Sequence, residues 1–225
     1  MQPQPPSDLV KFGGPSISLP PDAGPRSTAP RPGVGQENRL PGLFPSGQSS
    51  AVNIDWNAEI RGQLETHWAR QLRPRLEGLT DEEYFWEPVP GMWSVRPAGG
   101  AFVSDFAIPP PEPAPVTTIA WRLAHLVVLL EGGLQRFGHP PVDFTSFPYA
   151  GTAEGALRQL DNAYQAWIDG VRDLGVDGLT EPAGPADSML ADWSTAGIVL
   201  HTQRELLHHG AEIALLRDLY RVGMR

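Results

Sequence analysis

The sequence predicts an all-α protein, a four-helix bundle with long connections behind a disordered N-terminal tail. Three observations predict it. Apolar residues recur at three- and four-residue steps in three segments, a fourth segment is apolar almost all round, and no segment shows a convincing period-two alternation.

The elements follow in order. Residues 1–50 are dense in Pro, Gly and Ser and lack repeated apolar spacing, so they bury too little surface to offset the entropy of ordering and are expected to be a disordered tail. Residues 51–225 are then the folded domain. Asn53 or Asp55 caps a first helix carrying Trp56, Ile60, Leu64, Trp68 and Leu72, which Pro74 and Gly78 end. Thr80 with Glu83 reads as a capping box for a short turn. An irregular segment with Trp86, Pro88, Pro90, Gly91 and Trp93 follows, and Ala107 to Pro115 is proline-rich and extended. Thr117 or Thr118 opens the second helix, apolar almost all round, which runs to Phe137. The third starts near Thr152 and aligns Leu157, Leu160, Tyr164, Trp167, Val171 and Leu174. The fourth runs from about Ser194 to Tyr220, with Val199, Leu206, Ile213 and Tyr220 seven apart.

Composition narrows the function. A net charge of -9 argues against nucleic acid or an anionic membrane as partner, because both reward clustered cations. Small molecules fit better. The chain has no cysteine, which excludes disulfides, a thiolate zinc site and a thiol nucleophile of its own. No apolar run reaches the roughly 18 residues of a membrane span and no signal peptide is evident, so a cytoplasmic location is expected. Lys11 is the only lysine, and the wealth of Arg, Gly, Pro and Ala is that of GC-rich coding.

On the fourth helix the seven-residue row defines the buried side, and His209 falls within it. Glu205 lies about 40° from His209, so the two side chains can converge, whereas His208 and His201 point about 100° or more away from the buried side. A buried acid beside a histidine needs a partner, and a shared divalent metal is one arrangement that satisfies both. An ordinary Glu–His pair on a helix is the other reading. His125 is read as a buried imidazole whose direction periodicity leaves open, either a hydrogen-bonded core group or a ligand. His67 lies near the stripe of Ile60 and Leu64, as a group that supports a ligand from behind or faces substrate, or as a surface histidine. Arg96 suits an anionic ligand or a salt bridge that pins the long loop. The tryptophans read as packing anchors rather than a ligand cage.

Three stretches, Trp86-Glu87-Pro88-Val89-Pro90-Gly91 with Trp93-Ser94-Val95-Arg96-Pro97, Thr118 to His125, and Glu205 to Ile213, together resemble the DinB-like superfamily over residues 53 to 222. Within it the pattern is similar to the branch of mycothiol-dependent maleylpyruvate isomerase and related thiol transferases. That resemblance implies one metal-ligating histidine on the second helix, matched by His125, and a Glu and His one turn apart on the fourth, matched by Glu205 and His209. Two nitrogens and an oxygen suit zinc, with nickel and iron as alternatives, and leave a position for substrate. The expected activity is addition or transfer of a low-molecular-weight thiol, mycothiol first, to a small electrophile, with His67 and Arg96 as candidates for orienting either. The metal would lower the thiol's pKa. The contrasting expectations are a non-catalytic metal-binding bundle acting in stress or interaction and a metal-dependent hydrolase. A homodimer is one oligomeric option.

Overall fold

The computed structural model describes residues 53–107, 109, 111–184, 190 and 192–223. The tail expected over residues 1–50, and its boundary at 51, lie outside the described residues. Those described belong to the unit Asn53–Arg225. In order they form α1 (Trp56–His67), a π turn (Trp68–Leu72), α2 (Arg73–Arg75), α3 (Asp81–Tyr84), β1 (Val95–Ala98), β2 (Ala101–Ser104), α4 (Ile119–Gly133) with a 3₁₀ turn (Leu134–Phe137), α5 (Ala153–Thr180) and α6 (Thr195–Arg221). The structure is mostly helical. Among the described residues no helix is long and apolar enough to cross a membrane.

Polar side chains start each long helix. Asp55, Thr118, Thr152 and Ser194 accept hydrogen bonds from the amides of Ala58, Trp121, Gly155 and Gly197, each satisfying a donor the first turn would leave unpaired. Asp55 rather than Asn53, and Thr118 rather than Thr117, are therefore the caps. Thr117 instead forms a bridge with Trp93 that ties the preceding loop to the start of α4.

The first helix departs from expectation at both ends. Trp56, assigned above to the apolar stripe, is exposed, and Asn57 is the buried residue of that turn. The cause lies on α5, where Gly175 adopts φ 60° and ψ −167° and breaks the helical ladder. This conformation is essentially confined to glycine. Asn57 donates its side-chain amide to the carbonyls of Val171 (2.7 Å) and Gly175 (3.1 Å) at that break, so a polar residue is needed where a stripe would place an apolar one. At the other end Pro74 does not stop the helix. It has no N–H to donate, and the ladder widens just before it, with the Arg73 amide reaching the Trp68 carbonyl in a π turn. The chain continues one more turn, and Gly78, with φ 67°, ends it.

A second difference is a β-hairpin where no strand was expected. Val95 pairs with Ser104 and Ala98 with Ala101 in antiparallel register, joined by Gly99 and Gly100, both at positive φ. A two-residue turn with both central residues at positive φ suits the twist of short paired strands. The strands have four residues each; β1 is exposed at three of its four positions, β2 alternates only between exposed and half-buried, and Pro97 masks the first.

One core joins α1, α4, α5 and α6. Why α4 is apolar all round is now clear: it packs against α5, α6 and β1, and Leu123, Leu126, Val127 and Leu130 are fully buried, each side chain worth roughly 1.5–3 kcal/mol of transfer free energy. Val199, Leu206 and Ile213 of α6 have no exposed surface, which fixes the rotation of that helix and hence the direction of its polar side chains.

Candidate metal centre

The rotation of α6 turns Glu205 and His209 toward α4, while the seven-residue row behind them fills the core. His209 Nε2 lies 3.4 Å from Glu205 Oε2, and His125 Nε2 of α4 lies 3.7 Å from the same oxygen. The two imidazole rings meet edge to face with centroids 4.6 Å apart. One ligand atom from each of the three residues falls within 4.8 Å of the others. Neighbouring ligand atoms around a tetrahedral ion with bonds of about 2.0–2.1 Å are about 3.3–3.4 Å apart. The donor set therefore fits a divalent ion with small adjustment.

Hydrogen bonding around the three supports the fit. His209 Nδ1 is 2.7 Å from Glu212 Oε2. A carboxylate only accepts, so Nδ1 carries the proton and Nε2 presents its lone pair toward Glu205. A lone pair and an anionic oxygen 3.4 Å apart repel each other unless a cation lies between them. The Glu212–His209 contact is also how a carboxylate commonly fixes the tautomer of a ligating histidine. Glu212 in turn pairs with Arg122 of α4. Trp121 stacks parallel to the His125 ring at 5.3 Å and donates its indole N–H to the Asp105 carbonyl (2.9 Å), so the loop before α4 braces that ring.

Protonation follows from burial and neighbours. Glu205 is held down at about 2, first by the hydrogen-bonding approach of His125 and then by the charge fields of His201, His209 and His125, against an opposing desolvation effect. Burial, followed by His125, lowers His209 to about 4. At neutral pH the pair is thus an anionic carboxylate and a neutral imidazole, the forms a metal requires. Burial also lowers Arg122, to about 10, leaving it charged at neutral pH. Both shifts in the pair are depressions, so in the metal-free protein each group stabilises the fold at high pH and loses that contribution on acidification. The loss should run from pH 6.5 toward 4 for His209 and from 4.5 toward 2 for Glu205. Urea midpoints measured against pH with chelator present should show the His209 component, and His209→Gln should flatten the curve between pH 6.5 and 4. An unchanged curve would contradict the assignment.

The other singled-out residues lie around this centre or apart from it. The His208 side chain is 64% exposed against 15% for His209, and faces Glu212 Oε1 at 3.5 Å. His201 stands on the rim, 3.6 Å from the outer oxygen of Glu205, and burial lowers its pKa. His67, at the end of α1, bonds Gln71 through Nδ1 (2.9 Å), and its Nε2 is buried without a hydrogen-bond partner among the described residues. Arg96 donates to Asp105 (2.8 Å), Glu87 (2.9 Å) and the Met92 carbonyl (2.8 Å), so it pins the loop beside the hairpin. It also lines a pocket of about 320 Å³ with Phe85, Val95 and Phe102, to which none of the three converging residues contributes. Trp86 and Trp167 are packed in ring contacts with Tyr220 and Phe137. Apolar periodicity singled out neither Arg122, nor Trp121 as a brace, nor Glu212. The first and last stand three residues from His125 and His209 on the same helices, and this one-turn spacing was the signal available.

Residues 104–213 match the model of the DinB superfamily, a stretch that includes His125, Glu205 and His209 and supports the DinB-like assignment. No curated protein and no solved structure gives a significant match to the chain.

Proposed function

We propose, on the premise of that superfamily match, that this chain is a DinB-like four-helix-bundle enzyme that holds zinc through His125, Glu205 and His209 and joins a low-molecular-weight thiol to a small electrophile. The observation that carries this reading is the convergence of two imidazole nitrogens and one carboxylate oxygen within 4.8 Å, with His209 oriented by Glu212. Two nitrogens and an oxygen from the protein suit zinc and leave a fourth position for water or substrate, the pattern of a reactive rather than a closed structural site. A zinc ion held there supplies the Lewis acidity that keeps a small thiol deprotonated at neutral pH.

The chain's own residues supply the rest. Glu205 and His209 already have the protonation states that ligation needs. Trp121 and Glu212 hold the two imidazoles at fixed angles, and the absence of cysteine leaves the site without a nucleophile of its own, so the thiol comes from outside. His67, whose buried Nε2 makes no hydrogen bond among the described residues, and Arg96, which lines the hairpin pocket, are the candidates for orienting thiol or substrate. Mycothiol is the first choice of thiol, by resemblance to the isomerase branch and by the composition of the chain. Metal-loaded protein should consume a chromogenic electrophile at least tenfold faster with mycothiol than with other small thiols, roughly a 1.4 kcal/mol difference in barrier. Equal rates with every thiol, unchanged after metal removal, would reduce the activity to the solution reaction and favour a non-catalytic bundle.

A further inference from the structure

Opposite its buried side, α6 keeps a strip of large aliphatic residues in water. Leu200, Leu207, Leu215 and Val222 are 50, 44, 59 and 75% exposed, and at 100° per residue they fall within about 80° of one another around the helix. Single exposed leucines are ordinary, but three on one face of α6, continued by Val222 just past its last turn, mark an interaction surface. The same strip carries Arg204, Ala211 and Asp218, and Ala211 is also exposed. The Arg204 side chain is 67% exposed and that of Asp218 56%.

The order of these residues identifies the partner. Leu207 and Leu215 stand four residues either side of Ala211, Arg204 and Asp218 seven either side, and Leu200 and Val222 eleven either side. Size is mirrored about Ala211, and charge is inverted. A surface of this kind is complementary to itself when a second copy is turned by a two-fold axis through its centre, because each residue then meets its counterpart from the other end. We infer that the chain forms a two-fold homodimer through antiparallel contact of α6, with Ala211 at the axis.

In that arrangement Leu207 faces the partner's Leu215, and Arg204 faces the partner's Asp218. Ala211 puts the smallest side chain of the strip at the crossing point, where two helix axes approach within about 8–10 Å. Both charges have neighbours within their own chain. Arg204 lies 2.5 Å from His201 Nδ1 and 3.5 Å from Glu205, and Asp218 accepts from Arg75 at 2.6 Å. The intermolecular pairs extend these contacts into a network. The directions of Glu205 and His209 lie about 120° and 160° around the helix from Ala211 at the centre of the strip, and the Arg204–Glu205 contact is where the strip comes nearest the candidate metal centre. The strip is about 33 Å long and one helix wide, at the small end of specific interfaces, so dissociation in the micromolar range is expected.

The test uses the full-length, metal-loaded chain. Sedimentation over about 1–200 µM should show a concentration-dependent species of twice the 24.5 kDa chain mass. Leu207→Glu with Leu215→Glu places like charges opposite one another and should weaken the dimer at least 100-fold, with the far-UV circular dichroism spectrum and the metal content unchanged. Because the chain has no cysteine, Ala211→Cys introduces a single thiol at the axis. It should cross-link rapidly into covalent dimers on mild oxidation, and Ala69→Cys, exposed on another helix, should not. A monomer throughout the range, a dimer indifferent to the two leucine changes, or equal cross-linking of both cysteine variants would overturn the proposal. So would a dimer that forms only after residues 1–52 are removed, since the strip would then be covered by the chain's own N-terminal segment.

Discussion

Replacing His209 by alanine should abolish stoichiometric metal in the purified protein, while replacing the adjacent His208 should leave it intact. The two are neighbours in sequence but about 100° apart around the helix. His209 directs Nε2 to Glu205 at 3.4 Å, whereas His208 is on the outer side against Glu212. A second grouping, His208, His209 and Glu212, also has the residue types of a metal site, so loss of metal in His209→Ala alone does not identify the ligands. The neighbouring variants do. In the outer grouping Glu212 is already paired with the Arg122 cation, which repels a second positive charge, and the loss of His208 should therefore have no effect. His125→Ala should lose the metal as His209→Ala does, and Glu205→Gln should weaken binding because an amide replaces an anionic oxygen. Elemental analysis of the variants beside the parent checks the set. Metal retained without His209 or His125 but lost without His208 would transfer the site to the outer face.

The largest effect on stability is expected at Arg217. Its side chain is 1% exposed and pairs with Glu83, itself 4% exposed. The guanidinium donates Nε–H to one Glu83 oxygen (2.7 Å) and an Nη2 hydrogen to the other (3.1 Å), and Nη1 donates to the carbonyls of Arg75 and Glu77. One side chain thus satisfies the turn that ends the first helix, neutralises the Glu83 carboxylate, which the sequence assigned to a capping box with Thr80, and joins both to α6. Arg217→Met should cost about 3–5 kcal/mol, since it leaves Glu83 charged, buried and unpaired. For a domain of this size that is a fall of about 10 °C in Tm. Replacing both partners, Arg217→Met with Glu83→Leu, should recover a large part of the loss, because the cost lies in the orphaned charge. A single variant within about 1 kcal/mol of the parent would show that water reaches the pair and that the turn is held by other contacts.

How far these features could be read from sequence depended on the physical signal each one leaves. The long helices and their starts were legible because apolar spacing repeats over several turns and because Thr118, Thr152 and Ser194 are side chains suited to capping. The direction of His209 followed from Val199, Leu206 and Ile213, a periodic row that fixes a phase. His125 had no such reference, since α4 is surrounded on most sides, and only the folded packing shows its ring opposite His209. The hairpin was hidden because its strands are only four residues long and neither buries a full face. The Gly99–Gly100 turn was its only local mark. Asn57 was misplaced because its role is set by a helix break at Gly175, 118 residues away, and no local pattern encodes a contact of that kind. Arg217 looks like any surface arginine near a helix end. Its burial depends on Glu83 in another turn.

The proposed metal centre requires His125, Glu205 and His209 to hold one ion together. X-ray absorption at the zinc edge of the zinc-loaded, full-length protein tests this most directly. It should show a shell of light N/O scatterers at about 2.0–2.1 Å with the outer-shell signature of two imidazoles and no sulfur. Bound zinc showing one imidazole or none, or a six-oxygen hydrated shell, would contradict it.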